Sequence, residues 1–403
     1  MADSNAATTV GIIGAGTMGA GIAQIAVMHG WTVELMDVSE EVAHTAIAGI
    51  GKRLDRLVEK RRMTAEDRAA AGDRLLVATS AECLAGSDLV IEAIVEDLDI
   101  KTTVLSGIIP VLRDDAIIAT NTSSLSVTAL GEALGEPQRT VGMHFFNPAP
   151  LMKLVEVIAG NDTSADVVER VAAIAASWNK KVARAADVPG FIVNHVARPY
   201  YLEAFRILED RLASVDEIDD IMRRLGGFRM GPFELTDLIG QDVNTATTRS
   251  VWEQLDRPPL LTPSRMQEEL VFDGHLGRKT KRGCYDYAHD PAQPAIDTHR
   301  KTLTMSSEFE AAVLDFARAA GAETTDSLEA YIFARVLSAI FVQAILACDR
   351  GVASPADIDI ALQYGVNYPR GPFEWMKSIG SSYVNPVMDG LNASTFDQRF
   401  ARA

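Results

Sequence analysis

Two side chains on neighbouring apolar runs could share a proton. His144 lies in Met143-His144-Phe145-Phe146-Asn147-Pro148, and Glu156 in Leu154-Val155-Glu156-Val157-Ile158. An imidazole whose tautomer is fixed by a carboxylate is a base suited to neutral pH, and the carboxylate stabilises the imidazolium that forms. A lone His on an apolar strand is more often a core histidine than a base. A Glu on such a strand needs a partner, because an unpaired buried charge is costly. If the two runs are paired strands, each residue supplies what the other requires. A second cluster, Thr120-Asn121-Thr122-Ser123-Ser124, follows the apolar run Ile117 to Ala119. Small hydroxyls and an amide at the carboxyl end of a strand sit where open α/β sheets place ligands. Ser124 or Ser126 would equally serve as an N-cap for the next helix. Asn194, in Pro189-Gly190-Phe191-Ile192-Val193-Asn194-His195, could donate a hydrogen bond to a substrate oxygen or cap a helix. His195 reads as a helix-surface residue.

These groups need a scaffold, and the start of the chain supplies it. Val10 to Ile13 leads into Gly14-Ala15-Gly16-Thr17-Met18-Gly19. A helical pattern follows, then a strand-like run, Thr32 to Met36, ending at Asp37. This is the strand–turn–helix–strand order that a dinucleotide pyrophosphate requires. Gly14 permits the tight turn, Gly16 leaves room for phosphate, and Gly19 lets helix and strand approach. Asp37 lies 18 residues beyond Gly19, where a carboxylate for the adenosine ribose is expected. Val38 follows it, and no Arg is at hand for a 2′-phosphate, so the expected cofactor is NAD, not NADP. FAD is an option that the later motifs do not suit.

The 403 residues carry 47% hydrophobic and 23% charged side chains, as in ordinary globular proteins. The formal charge of −17 argues against nucleic-acid or anionic-membrane partners. An anionic substrate would therefore need a local basic patch. Lys52, Arg53, Arg56, Lys60, Arg61 and Arg62 form one, with Lys52, Arg56 and Lys60 on one helical face. Asp55 and Glu59 could reduce it to a solvated amphipathic face. Cys83, Cys284 and Cys348 are scattered and odd in number, which suggests a reducing compartment, no disulfide frame and no metal site. The polar Met1 to Thr9 carries no leader pattern. No run of 18 apolar residues suggests a membrane span, and Ala401-Arg402-Ala403 is no peroxisomal address. The expected location is cytoplasmic.

Residues 1–187 read as an α/β, Rossmann-type doubly wound domain with a helical arm over 41–72. Strands are expected at 75–77, 89–91, 117–119, 139–146, 153–158 and 181–184. The rest reads as two all-α domains, 188–290 and 308–403, joined by a linker over 291–307. They are an internal repeat. At a shift of 140 residues, Ala213-Ser214, Ile218-Asp219, Gly231-Pro232-Phe233-Glu234 and Ile239-Gly240 recur as Ala353-Ser354, Ile358-Asp359, Gly371-Pro372-Phe373-Glu374 and Ile379-Gly380. Two such copies could pack within one chain as two subunits of a dimer would, giving a monomer with an intrachain pseudo-dimer or a homodimer.

With these motifs in hand, the chain resembles the L-3-hydroxyacyl-CoA dehydrogenases. GIIGAGTMGAGIA, DLVIEAIVED, TNTSSLS, GMHFFNPAPLMKLVEV, PGFIVNH and MGPFELTDLIG stand in the family's order from Val10 to about Tyr287. The duplicated helical domain and ARPYYLEAFR resemble the branch that handles 3-hydroxyadipyl-CoA in aromatic-acid breakdown, such as phenylacetate catabolism; a 3-hydroxybutyryl-CoA specificity is the other option. The resemblance implies NAD-dependent oxidation of a 3-hydroxyacyl-CoA thioester, as in fatty-acid β-oxidation. It gives His144 the role of base and Glu156 that of its partner. Ser123 and Asn194 would contact the substrate, and Glu96, Lys101, Asn147 and Lys279 the cofactor. Lys60 would meet CoA. Arg53 stands where a CoA-contacting Ser is often found, and His195 where Arg commonly follows the Asn. Ala334 takes the place of Asn194 in the second copy, which is therefore expected to be non-catalytic. Two rival readings are a dehydrogenase of a small free β-hydroxy acid and a non-catalytic protein on the same fold. Arg198, Arg206 and Arg229 are candidates for a distal carboxylate on the acyl tail, although each reads more readily as a surface residue.

Overall fold

Strands β1 (Thr9–Ile13) and β2 (Thr32–Met36) flank helix α1 (Thr17–Met28). Helices α2 (Glu40–Glu59) and α3 (Ala65–Asp73) follow, then β3 (Leu75–Val77), β4 (Leu89–Glu92) and α4 (Leu98–Ile108). Next come β5 (Ile117–Thr120), α5 (Val127–Leu134), β6 (Thr140–Phe145), β7 (Leu154–Ala159), α6 (Ala165–Ser177) and β8 (Lys181–Ala186). The computed structural model describes residues 8–296, 300–395 and 397–401. The first seven residues, 297–299 of the linker, Phe396, and Arg402 and Ala403 lie outside the described residues, and with them most of what the sequence suggested about the two termini.

The eight strands form one sheet in the order β3-β2-β1-β4-β5-β6-β7-β8. All neighbours are parallel except β6 and β7, which run antiparallel. Residues 146–153 are too few for the crossover helix that a parallel pair would need. The central strands are covered on both faces, as near-continuous apolar runs require. Ile12, Ile91, Ile117 and Ala119 pack with α1, α2 and α6 on one side. Val90 and Ile118, one residue out of phase, pack with Leu105, Ile108 and Leu130 on the other. This alternation makes the domain doubly wound.

The arm expected over 41–72 is broken. Arg61 has a left-handed backbone (φ 55°), and Thr64 caps α3 by accepting from the Asp67 amide at 3.0 Å. The result is a helical hairpin, tied by the Arg68–Asp55 ion pair at 2.7 Å. Asp55 thus spends its charge on Arg68, and Lys52, Arg56 and Lys60 all remain exposed.

The chain divides into two compact units, residues 1–191 and 192–403. The second holds both helical copies. The first copy comprises α7 (Val193–Val196), α8 (Arg198–Glu209), α9 (Val215–Arg224), α10 (Pro232–Ile239), α11 (Gln241–Gln254) and α12 (Arg265–Phe272). Strand β9 (Tyr285–Asp286) pairs with β10 (Gln293–Pro294), so part of the expected linker is ordered as a small ribbon. The second copy comprises α13 (Ser307–Ala319), α14 (Ser327–Asp349), α15 (Pro355–Gly365), α16 (Pro372–Ile379) and α17 (Ser381–Ser394).

The repeated residues have one local purpose. Asp219 accepts from the Phe233 and Glu234 amides at 2.9 and 3.0 Å, capping α10. Asp359 accepts from the Phe373 and Glu374 amides at 2.8 and 3.0 Å, capping α16. A Cβ on Gly231 or Gly371 would sit 2.2 Å from its Asp carboxyl carbon, so only Gly fits. The copies differ before the caps. α14 is continuous, whereas α7 and α8 are interrupted at Ala197, just before Pro199.

α14 is long and apolar enough to cross a membrane by length and composition, yet 83% of its apolar window is buried inside the protein. It packs against α8, which is buried almost end to end. The sequence reading placed His195 and Arg198 at the surface; both are buried, at 0% and 4% exposure, because they belong to this central layer. Arg206 is half-buried and Arg229 is exposed.

Glu203 of α8 joins the two copies. Its carboxylate lies 2.6 Å from Arg335 of α14, 2.9 Å from Arg206 and 3.0 Å from Arg399. Burial pushes its carboxyl up, but the three guanidiniums outweigh burial and hold it well below the ordinary carboxylate range. Glu203→Gln should therefore cost roughly 3–5 kcal/mol of stability at neutral pH, by leaving buried cations without their counter-charge. Because the folded-state pKa is depressed, that stabilisation is full above about pH 4.5 and fades as pH falls through the folded value. Denaturant titrations of both proteins at pH 7 and in acid should show the gap shrinking.

Candidate active site

The β6–β7 register sets His144 directly opposite Glu156. Nδ1 of the imidazole lies 2.7 Å from Oε2 of the carboxylate, with His144 6% exposed and Glu156 fully buried. A carboxylate only accepts, so Nδ1 carries the proton and Nε2 presents its lone pair. Phe146 and Phe191 pack on the ring at centroid distances of 4.5 and 5.8 Å and fix its plane. Asn121 adds a constraint that the sequence reading did not assign: its Oδ1 accepts from the Phe145 amide at 2.8 Å, pinning the end of β6.

The glycine turn closes the neighbouring edge. β1, β4, β5 and β6 are parallel, so His144 near the end of β6 shares the sheet's carboxyl edge with this turn. Gly14 adopts φ 102°, and a Cβ there would come within 2.5 Å of the Ala93 carbonyl. A Cβ on Gly19 would collide with the Gly14 carbonyl oxygen. A Cβ on Gly16 would meet nothing within 4 Å, so that glycine keeps open a space the fold itself does not fill. α1 begins there with no side-chain cap and no acidic residue in its first turn. Bare N–H groups at a helix N-terminus beside an open cradle suit a pyrophosphate. Asp37 accepts from the Ala15 amide at 2.6 Å and from the Val38 amide at 2.7 Å, which fixes its carboxylate at the rim. The residues present therefore fit a dinucleotide.

Between these features lies a buried charge network. Lys101 is 1% exposed and lies 2.6 Å from Glu92 and 3.2 Å from Glu96. Glu92, which the sequence reading passed over, also accepts from Thr120 Oγ1 at 2.7 Å and from the Ile94 amide at 2.6 Å. A Glu ending the apolar run Leu89-Val90-Ile91 gives the same signal that drew attention to Glu156. Glu96 gathers the serine loop: Oε1 accepts from Thr122 Oγ1 at 2.7 Å, the Ser123 amide at 2.8 Å and the Ser124 amide at 3.0 Å. Burial pushes the Glu96 carboxyl up, but these donors and Lys101 outweigh it and bring it below its usual value. Ser126 caps α5, accepting from the Ala129 amide at 3.1 Å, which frees Ser123 from that task and leaves it exposed. Asn147 is exposed too. The loop that follows it is held by Lys180, whose Nζ donates to the Ala149 and Met152 carbonyls at 2.7 Å each. Burial pulls the Lys180 ammonium down to about 8.

Other expected site residues take different positions. Arg53 turns away from the basic face, and its Nε donates to Gln24 Oε1 at 2.5 Å, tying α2 to α1. Lys60 ends α2 in solvent. In the second unit, Asn194 accepts through Oδ1 from Arg198 at 3.3 Å, which leaves its amide NH₂ to donate elsewhere. Lys279 is bound to both Asp242 carboxylate oxygens at 2.6 Å. Ala334, the counterpart of Asn194, is wholly buried in α14.

A fixed imidazole base beside a dinucleotide cradle is the equipment of an NAD-linked dehydrogenase. Comparison with known proteins supplies the family. The NAD binding domain of 3-hydroxyacyl-CoA dehydrogenase matches residues 9–188, and the C-terminal domain matches 190–287 and 331–403. A 3-hydroxyadipyl-CoA dehydrogenase from Escherichia coli (strain K12) is 38% identical, over 97% of this chain and 95% of its own length. A mitochondrial hydroxyacyl-coenzyme A dehydrogenase from Homo sapiens is also 38% identical, over 69% of this chain and 90% of its own. The crystal structure of a 3-hydroxybutyryl-CoA dehydrogenase from Escherichia coli K12 superposes with a TM-score of 0.86 at 35% identity, covering 99% of this chain and 97% of that one. The chain belongs to the 3-hydroxyacyl-CoA dehydrogenase family and is an NAD-dependent oxidoreductase of hydroxyacyl-CoA.

The open space at Gly16 yields a direct test. Gly16→Asp places a favourable N-cap on α1 and puts a negative charge where pyrophosphate belongs. Calorimetry should show an unchanged or higher melting temperature, while fluorescence titration shows NADH binding weakened by about a hundredfold or more. A loss of both would mean that Gly16 serves the fold.

Proposed function

We propose that the chain oxidises (S)-3-hydroxyacyl-CoA to the 3-oxoacyl thioester, with His144 as general base and Glu156 as its partner. The 2.7 Å bond between His144 Nδ1 and Glu156 Oε2 is the observation that carries this reading. Nε2 takes the proton of the 3-hydroxyl, and Glu156 balances the charge of the resulting imidazolium. NAD, when bound, supplies the hydride acceptor. Asp37 holds its ribose, and Gly14, Gly16 and Gly19 admit its pyrophosphate. Glu96, kept in place by Lys101, shapes the cofactor side together with Asn147, and Lys279 is the further cofactor contact that the family resemblance implies. Ser123 and Asn194 orient the substrate oxygen, and correct orientation supplies much of the rate. Lys60, with Lys52 and Arg56, meets the CoA phosphates; Arg53 supports that helix from beneath.

Relatives named for adipyl and butyryl thioesters support a short acyl chain as the substrate. The exposed basic face of α2 favours a thioester over a free β-hydroxy acid, which would not need it. The joint presence of Ser123, His144, Glu156 and Asn194 weighs against a purely structural role. Three free thiols are in line with a reducing, cytoplasmic setting, and the acidic surface with neither nucleic acid nor membrane as a partner. The packing of α14 on α8 supports a monomer with an intrachain pseudo-dimer, the homodimer being the alternative that sedimentation would reveal.

NADH oxidation at 340 nm should proceed with acetoacetyl-CoA and not with free acetoacetate. His144→Ala should lower turnover roughly a hundred- to ten-thousandfold while changing NADH affinity by less than about threefold. Turnover of the free acid, or equal loss of turnover and NADH affinity in the variant, would sink the assignment.

A further inference from the structure

The second unit buries two arginines in very different ways. Arg335 is 3% exposed and fully compensated, at 2.6 Å from Glu203 and 2.8 Å from Asp210. Arg198, the first residue of α8, is 4% exposed, and among the described residues no carboxylate pairs with it. Its Nη1 donates to the Asn244 carbonyl and to Thr248 Oγ1 of α11, both at 3.3 Å. Its guanidinium lies over the Tyr201 ring, 5.2 Å from the centroid. Held in this way, it turns its second amino group to Asn194: Nη2 donates to Oδ1 at 3.3 Å. Asn194 is half-buried on α7, a single helical turn, and among the described residues Arg198 is the hydrogen-bond partner of its side chain. Burial pulls the Arg198 guanidinium below its usual value, whereas Glu203 more than offsets burial at Arg335 and holds that guanidinium above it.

The two ends of an Asn amide have nearly the same shape and opposite hydrogen-bonding character: the oxygen accepts and the NH₂ donates. A guanidinium can only donate. Contact with Arg198 therefore decides the orientation of the amide, with Oδ1 toward the guanidinium and Nδ2 on the other side. A cation at the carbonyl end also polarises the amide and makes its N–H groups stronger donors. A carboxylate beside Arg198 would cancel that field. Burying a cation without an anion is costly, and Arg335 shows that this fold can provide a counter-charge. The pair also occurs as a pair. At the shift of 140 residues, the second copy has Ala334 for Asn194 and Ser338 for Arg198. It thus has neither the amide nor the cation, although it carries the capping residues Asp359, Gly371 and Glu374.

We infer that Arg198 is a positioning residue for Asn194: it sets the amide with its NH₂ free for the substrate oxygen and strengthens the hydrogen bond that this NH₂ donates. The inference rests on the reading of the site given above, in which Asn194 contacts the 3-oxygen. Arg198 acts through Asn194 and not on the substrate. When His144 takes the hydroxyl proton, negative charge builds on that oxygen. A donor backed by a cation then gains more in the transition state than in the ground state, so the effect belongs to turnover and not to binding.

The test is a double-mutant cycle on the reduction of acetoacetyl-CoA by NADH. Asn194→Ala should lower kcat roughly a hundred- to a thousandfold, as for loss of one donor to a developing oxyanion. Arg198→Met should lower kcat roughly ten- to a hundredfold, while KM for the thioester and NADH affinity change by less than about threefold. In the Asn194→Ala background the same substitution should change kcat by less than about twofold, because the amide it serves is gone. Arg198→Lys, still a charged donor only, should keep about ten times the kcat of Arg198→Gln, whose amide can present either end. An unchanged kcat in Arg198→Met would overturn the inference. So would an equal loss with and without Asn194, which would make Arg198 a residue of the fold alone. If Arg198→Met does not fold, the Lys and Gln variants decide, and equal kcat in those two overturns the inference. An Asn194→Ala variant as fast as the wild type would instead overturn the reading of the site, and this inference with it.

Discussion

The antiparallel register of β6 on β7 is the constraint from which the rest of the site follows. One residue of slip would turn Glu156 to the opposite face and leave a buried carboxylate and a buried imidazole each without its partner. The register is held from several sides. The short connection forces the strand to reverse. Lys180 anchors that connection through two carbonyls, and Asn121, just past the end of β5, fastens the last amide of β6. Gly142, beside Ile158 in the pair, is the small residue that this contact demands, since a Cβ there would lie 2.8 Å from the Ile158 side chain.

Within each unit the protein handles buried charge in two ways. Where a charge is structural it is matched: Lys101 by Glu92 and Glu96, Glu203 by Arg335, Arg206 and Arg399. Other polar groups are left exposed or incompletely satisfied, as at the bare N-terminus of α1 and at Arg198 Nε. An overall charge of −17 is compatible with an anionic substrate because the basic residues of α2 are gathered on one exposed face, with Asp55 drawn off by Arg68.

Duplication separated these tasks between the copies. The Asp–Gly-Pro-Phe-Glu cap is needed wherever the helical unit folds, so both copies retain it. Asn194 and Arg198 have Ala334 and Ser338 at the corresponding positions of the second copy, inside an unbroken helix. The second copy contributes packing for α8 in return, along with Arg335 and Arg399 around Glu203.

Much of this was legible in the chain because its signals are local. Glycine spacing, apolar runs and the exact recurrence of a capping motif reflect backbone geometry over a few residues, so the doubly wound sheet, the cofactor turn and the repeat could be read directly. The pairing of His144 with Glu156 was legible because two lone polar residues stood on adjacent apolar strands. What the sequence could not supply were facts that depend on who meets whom over long separations. The burial of His195 and Arg198 follows from α14 covering α8, well over a hundred residues away. The turning of Arg53 onto Gln24 follows from the packing of α2 on α1. The break at Arg61 was hidden because a single left-handed residue leaves no composition signal. Sequence alone determined which residues could do chemistry. Tertiary structure decided which of them are compensated and which are left waiting, because compensation is a property of neighbours in space.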